Sequence, residues 1–165
     1  MLKNLFGKKK PTEETFVSPV TGDVVPIEEV PDPTFSEKMM GDGIAIKPTE
    51  GEVVSPVDGE VIQLFHTKHA VGIRSKGDVE ILIHIGLETV TMNGAGFEAH
   101  VSEGQKVKAG DRLISFDLDL VEKKAESTIT PMVITNGDVL ENMKKFHESN
   151  AIKGETPVAE VKIKE

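Results

Sequence analysis

Two histidines in one short stretch are the residues best suited to chemistry in this sequence. His69 and His84 lie on either side of a turn sequence, Ser75–Asp78, in which Lys76-Gly77 is typical of a two-residue hairpin loop with glycine at positive φ. In that register His69 lies directly opposite His84. Directly opposed side chains have Cβ atoms about 4.5–5.5 Å apart. Both imidazoles would then reach one phosphoryl group or one metal ion.

The same register predicts which face of the hairpin is buried. One face is small and apolar and is expected in the core, and it carries Ala70, Gly72, Ile81, Ile83 and Ile85. The histidine face is mixed and is expected at the surface. The pairing also predicts a hydroxyl, an aromatic ring and a carboxylate beside the histidines, from Thr67, Phe65 and Glu88. A slip of one residue would move side chains to the other face.

Imidazole suits phosphoryl transfer because its neutral form is a nucleophile near neutral pH, with an ordinary pKa of about 6.5. A phosphorylated ring nitrogen remains a good phosphoryl donor. The second histidine would donate a hydrogen bond to phosphate oxygens. Thr67 would orient that second ring, as a third group does at other nucleophile sites.

Short apolar stretches broken by Gly and Pro must position these residues, and they predict an all-β protein, an antiparallel sandwich or distorted barrel. The predicted strands are Asp23–Ile27, Glu52–Val57, Glu60–Phe65, Val71–Arg74, Val79–Ile85, Leu113–Phe116 and Met132–Thr135. Short helical turns are predicted near Ser36–Met40 and Leu120–Glu126.

An internal repeat points to pseudo-symmetry within this sandwich. The eleven residues Val17–Ile27 match Val54–Leu64, with six identical positions. Two copies are too few for a solenoid. They indicate related turn-plus-strand units that enter the two halves of one domain.

Composition limits the partners and the compartment. The 165 residues carry a net charge of -9, but the first ten residues hold four lysines and no acid. We therefore predict a partly basic tail over residues 1–15 and one domain over residues 16–165. Residues 1–10 are suited to weak contact with an anionic membrane surface. The acidic remainder argues against nucleic acid, and the absence of cysteine suggests the cytoplasm.

The sequence resembles the glucose-specific IIA component of the bacterial sugar phosphotransferase system, which uses phosphoenolpyruvate. The stretches that carry the resemblance run in family order, and they are VPDPTFSEKMMGDGIAIKP, VVSPVDGEV, TKHAVGI, LIHIGLETV, EGQKVKAGD and KGETPV. The resemblance covers about residues 16–161, nearly the whole chain. The resemblance implies a β-sandwich that carries a phosphoryl group during sugar uptake.

The resemblance also implies roles for the two histidines. His84, in the LIHIG segment, would accept phosphate from the phosphocarrier HPr and pass it to a cysteine on the IIB domain of a IIB/IIC permease. His69, in the TKHA segment, would stabilise the phosphoryl group, with Thr67 as its hydrogen-bonding neighbour. No cofactor is required for this transfer.

Further residues are implied as contacts for basic partners and for metal. An apolar patch would come from Phe35, Phe65 and Leu82, with acidic residues at Asp32 and Glu88. Some family members also bind transporters or kinases as regulators, and such complexes can hold zinc between the two histidines and a partner carboxylate. Asp138 matches a further acidic position that is tied to the second histidine.

Three other readings of the residues remain open at this stage. A zinc hydrolase would use His69 and His84, but catalytic zinc needs a third protein ligand, for which Glu88 is the candidate. A lipoyl or biotinyl carrier domain is suggested by Glu103–Phe116. A regulatory binding module that does not transfer phosphate would keep both histidines.

Overall fold

The computed structural model describes residues 10–165; the nine residues before them are outside the described part. Within this part the chain forms thirteen β-strands, which predominate over its short helices. The strands are β1 Glu13–Val17, β2 Gly22–Pro26, β3 Asp42–Pro48, β4 Glu52–Val54, β5 Gly59–Leu64, β6 Ala70–Ser75, β7 Glu80–His84, β8 Phe97–Ala99, β9 Lys106–Val107, β10 Arg112–Phe116, β11 Thr130–Ile134, β12 Leu140–Lys145 and β13 Pro157–Ile163.

The strands form three antiparallel sheets, so the predicted all-β class is confirmed. A seven-stranded sheet has the order β2-β3-β11-β7-β6-β5-β9. Two three-stranded sheets have the orders β1-β13-β12 and β4-β10-β8. Neighbouring strands are antiparallel in every pair. The central position of β7, between β11 and β6, places His84 at the end of a strand supported on both sides.

Two short α-helices begin earlier than the sequence pattern predicted. Helix α1 spans Pro33–Ser36 because Asp32 caps it, with the carboxylate accepting from the Thr34 amide at 3.0 Å. Helix α2 spans Leu118–Lys124, where Asp117 caps the N-terminus in the same way. Single 3₁₀ turns lie at Ile27–Glu29, Thr89–Met92 and Gly137–Val139. Cap residues therefore set the helix starts, and the apolar pattern did not reveal them.

Six strands were missed, and they are β1, β3, β8, β9, β12 and β13. Strand β9 has only two residues and β8 three, too short for a pattern. Strand β12 lies at a sheet edge and has no buried residue, so its side chains do not alternate between apolar and polar. Strand β1 contains residues 13–15, which corrects the predicted tail boundary. Residues 1–9 of the predicted tail lie outside the described residues.

The central strands of the large sheet are buried on both faces, which explains their apolar runs. Ile81 and Ile83 of β7 face the main core, and Leu82 between them faces a second cluster. The second cluster lies on the His84 side and comprises Ile27, Val30, Phe35, Ala45, Ala70, Leu82, Leu87, Ile129 and Val133. The site is therefore built over a buried apolar layer.

The two sequence repeats form reciprocal hydrogen bonds with each other in the structure. The Val17 amide donates to the Pro56 carbonyl at 2.9 Å, and the Val54 amide donates to the Pro19 carbonyl at 2.8 Å. Inside each repeat a buried serine hydroxyl donates to the carbonyl two residues later at 2.7 Å, from Ser18 and from Ser55. Equivalent residues thus make equivalent bonds, which supports the predicted pseudo-symmetry.

The β6–β7 turn differs from the predicted one by one residue. The Ser75 amide donates to the Val79 carbonyl at 2.9 Å, so the loop has three residues and not two. Its last residue, Asp78, has φ of 64°, a conformation that aspartate tolerates better than most residues. Strand pairing is consequently shifted, and Ala70 lies opposite His84. The predicted pairing of His69 with His84 is wrong.

The shift also changes which side chains share a face. Ala70 lies in the second cluster with Leu82, whereas Val71 and Ile73 join the main core with the isoleucines of β7. The predicted grouping of Ala70 with those isoleucines is therefore wrong, because a one-residue slip exchanges the two faces. Phe65 and Thr67 lie in a loop before β6 and do not extend the pairing.

No helix in residues 10–165 has both the length and the apolar character to cross a membrane.

Candidate active site

His84 ends β7 and turns its ring toward the backbone that follows. Its Nδ1 lies 2.8 Å from the Gly86 carbonyl oxygen. A carbonyl only accepts, so Nδ1 carries the proton and donates it. The lone pair of the neutral ring is therefore on Nε2, the nitrogen that can act as a nucleophile.

The turn after His84 requires glycine at its second residue. Gly86 has φ of 70°, and a Cβ placed there would lie 2.8 Å from the Ser127 carbonyl oxygen. The backbone amide of Leu87 donates to that same oxygen at 2.9 Å, which ties the turn to the segment before β11. Glu88 follows with φ of 61° and directs its exposed carboxylate to the rim of the site.

His69 lies just before β6 and is almost fully buried, with 4% of its surface exposed. Its Nδ1 contacts the hydroxyl of Thr67, in agreement with the predicted neighbour. The preceding residue, Lys68, has φ of 60°, so the chain bends sharply before β6 begins. The backbone carbonyl of His69 accepts from the Ile85 amide at 2.7 Å.

The two imidazole rings meet although the residues are not paired. Their centroids are 4.9 Å apart and their planes are nearly perpendicular, at 79°. His69 lies outside the regular strand, after the bend at Lys68. Its side chain therefore does not follow the alternation between the two sheet faces that strand residues show. The predicted closeness of the histidines is thus confirmed, although the register that predicted it was wrong.

Aromatic and acidic side chains surround the rings. Phe35 lies 5.2 Å from the His84 ring and Phe65 lies 5.4 Å from the His69 ring, centroid to centroid. A surface pocket of about 250 Å³ brings together His84 and all five residues expected to contact partners, and its lining is Asp32, Thr34, Phe35, Met40, Phe65, Leu82, His84, Glu88, Thr89 and Val90.

Burial keeps both rings neutral. Burial, and to a smaller extent the charge of the neighbouring His84, lowers the pKa of His69 to about 4. Burial also lowers the pKa of His84, against the opposing effects of the Gly86 carbonyl and the carboxylates of Asp32 and Glu88. The site at neutral pH therefore contains two uncharged imidazoles beneath an acidic rim.

Asp138 is not part of this arrangement. It lies in the 3₁₀ turn Gly137–Val139 after β11, next to Asn136, whose side chain accepts from the Glu80 amide at 2.8 Å. Glu80 begins β7 and His84 ends it, so Asp138 is on the far side of a strand about 13 Å long. The expected link between Asp138 and His69 is wrong.

Sequence reasoning missed the Gly86 carbonyl and four residues that line the pocket, Thr34, Met40, Thr89 and Val90. Met40 and Val90 are 39% and 50% exposed, and Met39, the residue before Met40 in the chain, is 72% exposed. The Met39-Met40 pair falls in a segment that was predicted as a helical turn, which hid its exposure. A glycine two residues after a histidine was the one visible signal for the carbonyl contact.

Comparisons with known proteins point to one family. The family described as the EIIA 1 component of the phosphoenolpyruvate-dependent sugar phosphotransferase system matches residues 14–140. A glucose-specific EIIA component of Bacillus anthracis is 65% identical over 99% of this chain and all of its own length. Another from Halalkalibacterium halodurans is 54% identical over 99% of both chains.

A solved structure shares the fold. Glucose permease IIA from Mycoplasma capricolum superposes with a TM-score of 0.81 and 39% identity, covering 93% of this chain and 98% of that one. The family match, the full-length relatives and the shared fold together identify the class of protein, a phosphoryl carrier of a sugar uptake system. The chain belongs to the EIIA 1 family of the phosphoenolpyruvate-dependent sugar phosphotransferase system.

Proposed function

We propose that His84 accepts a phosphoryl group from phospho-HPr and passes it to the IIB domain of a glucose-type permease. The observation that carries this proposal is the hydrogen bond from His84 Nδ1 to the Gly86 carbonyl, because it leaves Nε2 as the free nucleophile. The names of the glucose-specific relatives support the choice of sugar.

Each transfer exchanges one bond to phosphorus for another. In the first, the Nε2 lone pair of His84 forms a bond to phosphorus as the bond to the HPr donor breaks. In the second, a IIB cysteine thiolate forms a bond to phosphorus as the Nε2 bond breaks, and the electron pair returns to the imidazole. The chemistry needs positioning and electrostatic support more than covalent help from other groups.

His69 would give that support. If the Thr67 hydroxyl donates to His69 Nδ1, the proton of the neutral ring is on Nε2 and can be donated to a phosphoryl oxygen. The ring lies 4.9 Å from His84, centroid to centroid, within reach of a group held on the acceptor. Thr67 is thus proposed to orient His69 and not to touch the phosphoryl group.

Partners would dock on the pocket rim. Phe35, Phe65 and Leu82 supply an apolar floor, and Asp32 and Glu88 supply acidic groups that suit basic proteins. HPr and the IIB domain would use this surface in turn. Regulated transporters or kinases would compete for the same surface, since the rim is also available in the unphosphorylated protein.

Zinc would bind here only together with a partner. Two imidazoles are close enough to share an ion, and imidazole suits zinc. Among residues 10–165 the structure contains no group of three or more metal-binding side chains, so a third ligand would come from the partner. Zinc is not part of the proposed phosphoryl transfer.

The protein would work in the cytoplasm, where HPr and the IIB domain meet it. Residues 1–10 would add weak contact with the anionic membrane surface near the permease. Residues 16–165, extended by β1 to begin at Glu13, would form the single carrier domain.

Intact-mass spectrometry after incubation with phosphoenolpyruvate, enzyme I and HPr tests the proposal. We expect one acid-labile phosphoryl group on the wild type and none on His84→Gln. We expect His69→Gln to accept the group but fail to pass it to the IIB domain.

His66→Gln is the matched control, because His66 is an exposed histidine three residues from His69. It should accept and transfer the group as the wild type does. Phosphorylation of His84→Gln, or an unmodified wild type in the presence of active donors, would rule out His84 as the carrier.

A further inference from the structure

The turn after His84 contains a buried hydroxyl with no part in the transfer described above. Thr89 is fully buried, and its Oγ1 donates to the Ile85 carbonyl at 2.6 Å. The Ile85 amide in turn donates to the His69 carbonyl at 2.7 Å. The hydroxyl therefore closes the turn that starts directly after His84. Its acceptor, Ile85, is also the residue whose amide is hydrogen-bonded to His69.

The Thr89 side chain also lies against Gly86, whose carbonyl accepts from His84 Nδ1. A Cβ on Gly86 would lie 2.8 Å from Thr89 Cγ2 and equally close to the Ser127 carbonyl oxygen. Gly86 is thus confined between the Thr89 side chain and the backbone of residue 127. The carbonyl of this confined residue is the acceptor for His84 Nδ1.

We propose that Thr89 is a positioning residue for phosphoryl acceptance. Its hydroxyl fixes the 85–89 turn so that the Gly86 carbonyl stays in line with His84 Nδ1, which keeps the proton on Nδ1 and the lone pair on Nε2. This inference rests on the proposed role of His84 as the acceptor. Without a fixed carbonyl the neutral ring populates both tautomers, and only one of them presents Nε2 as a nucleophile.

Two variants isolate the hydroxyl. Thr89→Ser and Thr89→Ala both lack Cγ2, and they differ only in the hydroxyl. The His84 tautomer is read from the ¹⁵N chemical shifts of its ring in the full chain, and the acceptance rate is measured with phospho-HPr. We expect Thr89→Ser to keep the Nδ1-protonated ring. We expect Thr89→Ala to show a tautomer mixture and about a tenfold slower acceptance, the scale of one lost hydrogen bond.

Thr91→Ala is the matched control on the same turn. The Thr91 hydroxyl also donates to a backbone carbonyl, that of Glu88 at 2.7 Å, but Thr91 is exposed and away from Gly86. This variant should keep both the tautomer and the rate. Thr89→Val, which preserves the side-chain volume, replaces Thr89→Ala if the alanine variant does not fold.

A lower melting temperature of Thr89→Ala with an unchanged His84 tautomer would mean a purely structural role and would overturn the proposal. Equal losses in the serine and alanine variants would also overturn it, because serine retains the hydroxyl. A wild type that accepts no phosphoryl group would refute the role of His84 and with it the role of Thr89 in acceptance, and the tautomer comparison would then decide only whether Thr89 fixes the His84 ring.

Discussion

The two ends of the β6–β7 hairpin handle polar groups in opposite ways. At the turn, the Glu14 carboxylate from β1 accepts from the Ser75 hydroxyl at 2.6 Å and from the Gly77 amide at 3.2 Å. At the open end, His69 and His84 lie among apolar side chains and remain uncharged. The turn is thus held by a carboxyl group with hydrogen-bond partners, while the open end keeps nitrogen lone pairs available.

Burial shifts the pKa of a group at each end, with opposite consequences for stability. It lowers the pKa of His69 and raises that of Glu14, because in both cases the charged form is disfavoured. The neutral form of histidine lacks a proton and that of glutamate holds one. Stability should therefore rise with pH through the His69 window and fall with pH through the Glu14 window.

Removing His69 should have the largest effect on this pH dependence. The folded pKa of about 4 lies below the ordinary 6.5, so the unfolded chain binds more protons between these values. The wild type should lose about 2–3 kcal/mol of unfolding free energy as pH falls through this window. We expect His69→Gln to lose much less, as measured by urea denaturation from pH 7 to 4. An equal loss in both proteins would contradict a buried neutral His69, and the exposed His147→Gln should behave as the wild type.

Alanine at Gly86 should cost more than alanine at Gly77. A Cβ at Gly86 meets backbone at 2.8 Å with φ of 70°, so neither strain nor clash is easily relieved. A Cβ at Gly77 meets the ends of two side chains, at 2.5 Å from Ile163 and 3.0 Å from Glu14, which can move. We expect losses of about 2–3 and about 1 kcal/mol in urea denaturation. A larger loss at Gly77 would mean that the turn is the more rigid end.

Replacing Glu14 with a neutral residue should remove a small decrease in stability with rising pH. This effect is opposite in sign to that of His69. The raised pKa means that its contribution to stability is complete below 4.5 and is lost as pH rises through the folded pKa. We expect Glu14→Gln to flatten this fall, by less than about 1 kcal/mol, without changing phosphorylation of His84. Unfolding curves from pH 4 to 7 would reveal it. A steeper fall in the variant would show that the Ser75 and Gly77 bonds outweigh burial.

The ion pair at the tip should have the smallest effect. Asp78 contacts Lys10, and both side chains are at least half exposed. Asp78→Asn should change stability by no more than about 0.5 kcal/mol, because exposed pairs contribute little and asparagine also accepts positive φ. Thermal unfolding and the acceptance rate should match the wild type. A marked loss of either would show that the two ends of the hairpin are coupled.

The sequence predicted which segments form strands and which histidines meet better than it predicted the hairpin register and the backbone contacts. Apolar runs located seven strands, and the two histidines were correctly expected to meet. The hairpin register depended on which residue took positive φ, and Gly77 suggested a shorter loop than the one that Asp78 completes. The polar edge strand β12 has no apolar alternation to reveal it. Which donor a backbone carbonyl such as that of Gly86 meets depends on the fold. Residue types alone therefore do not predict that contact.

The crossed bonds between the two Ser-Pro-Val segments have a consequence for how the protein opens. Each segment ties its amide to the carbonyl of the other, from Val17 to Pro56 and from Val54 to Pro19. Neither segment can detach without breaking the hydrogen bonds of the other. The two therefore form a single unit, although they are 37 residues apart in the chain. Their amide protons should exchange with solvent together, in the slow class that reports global unfolding.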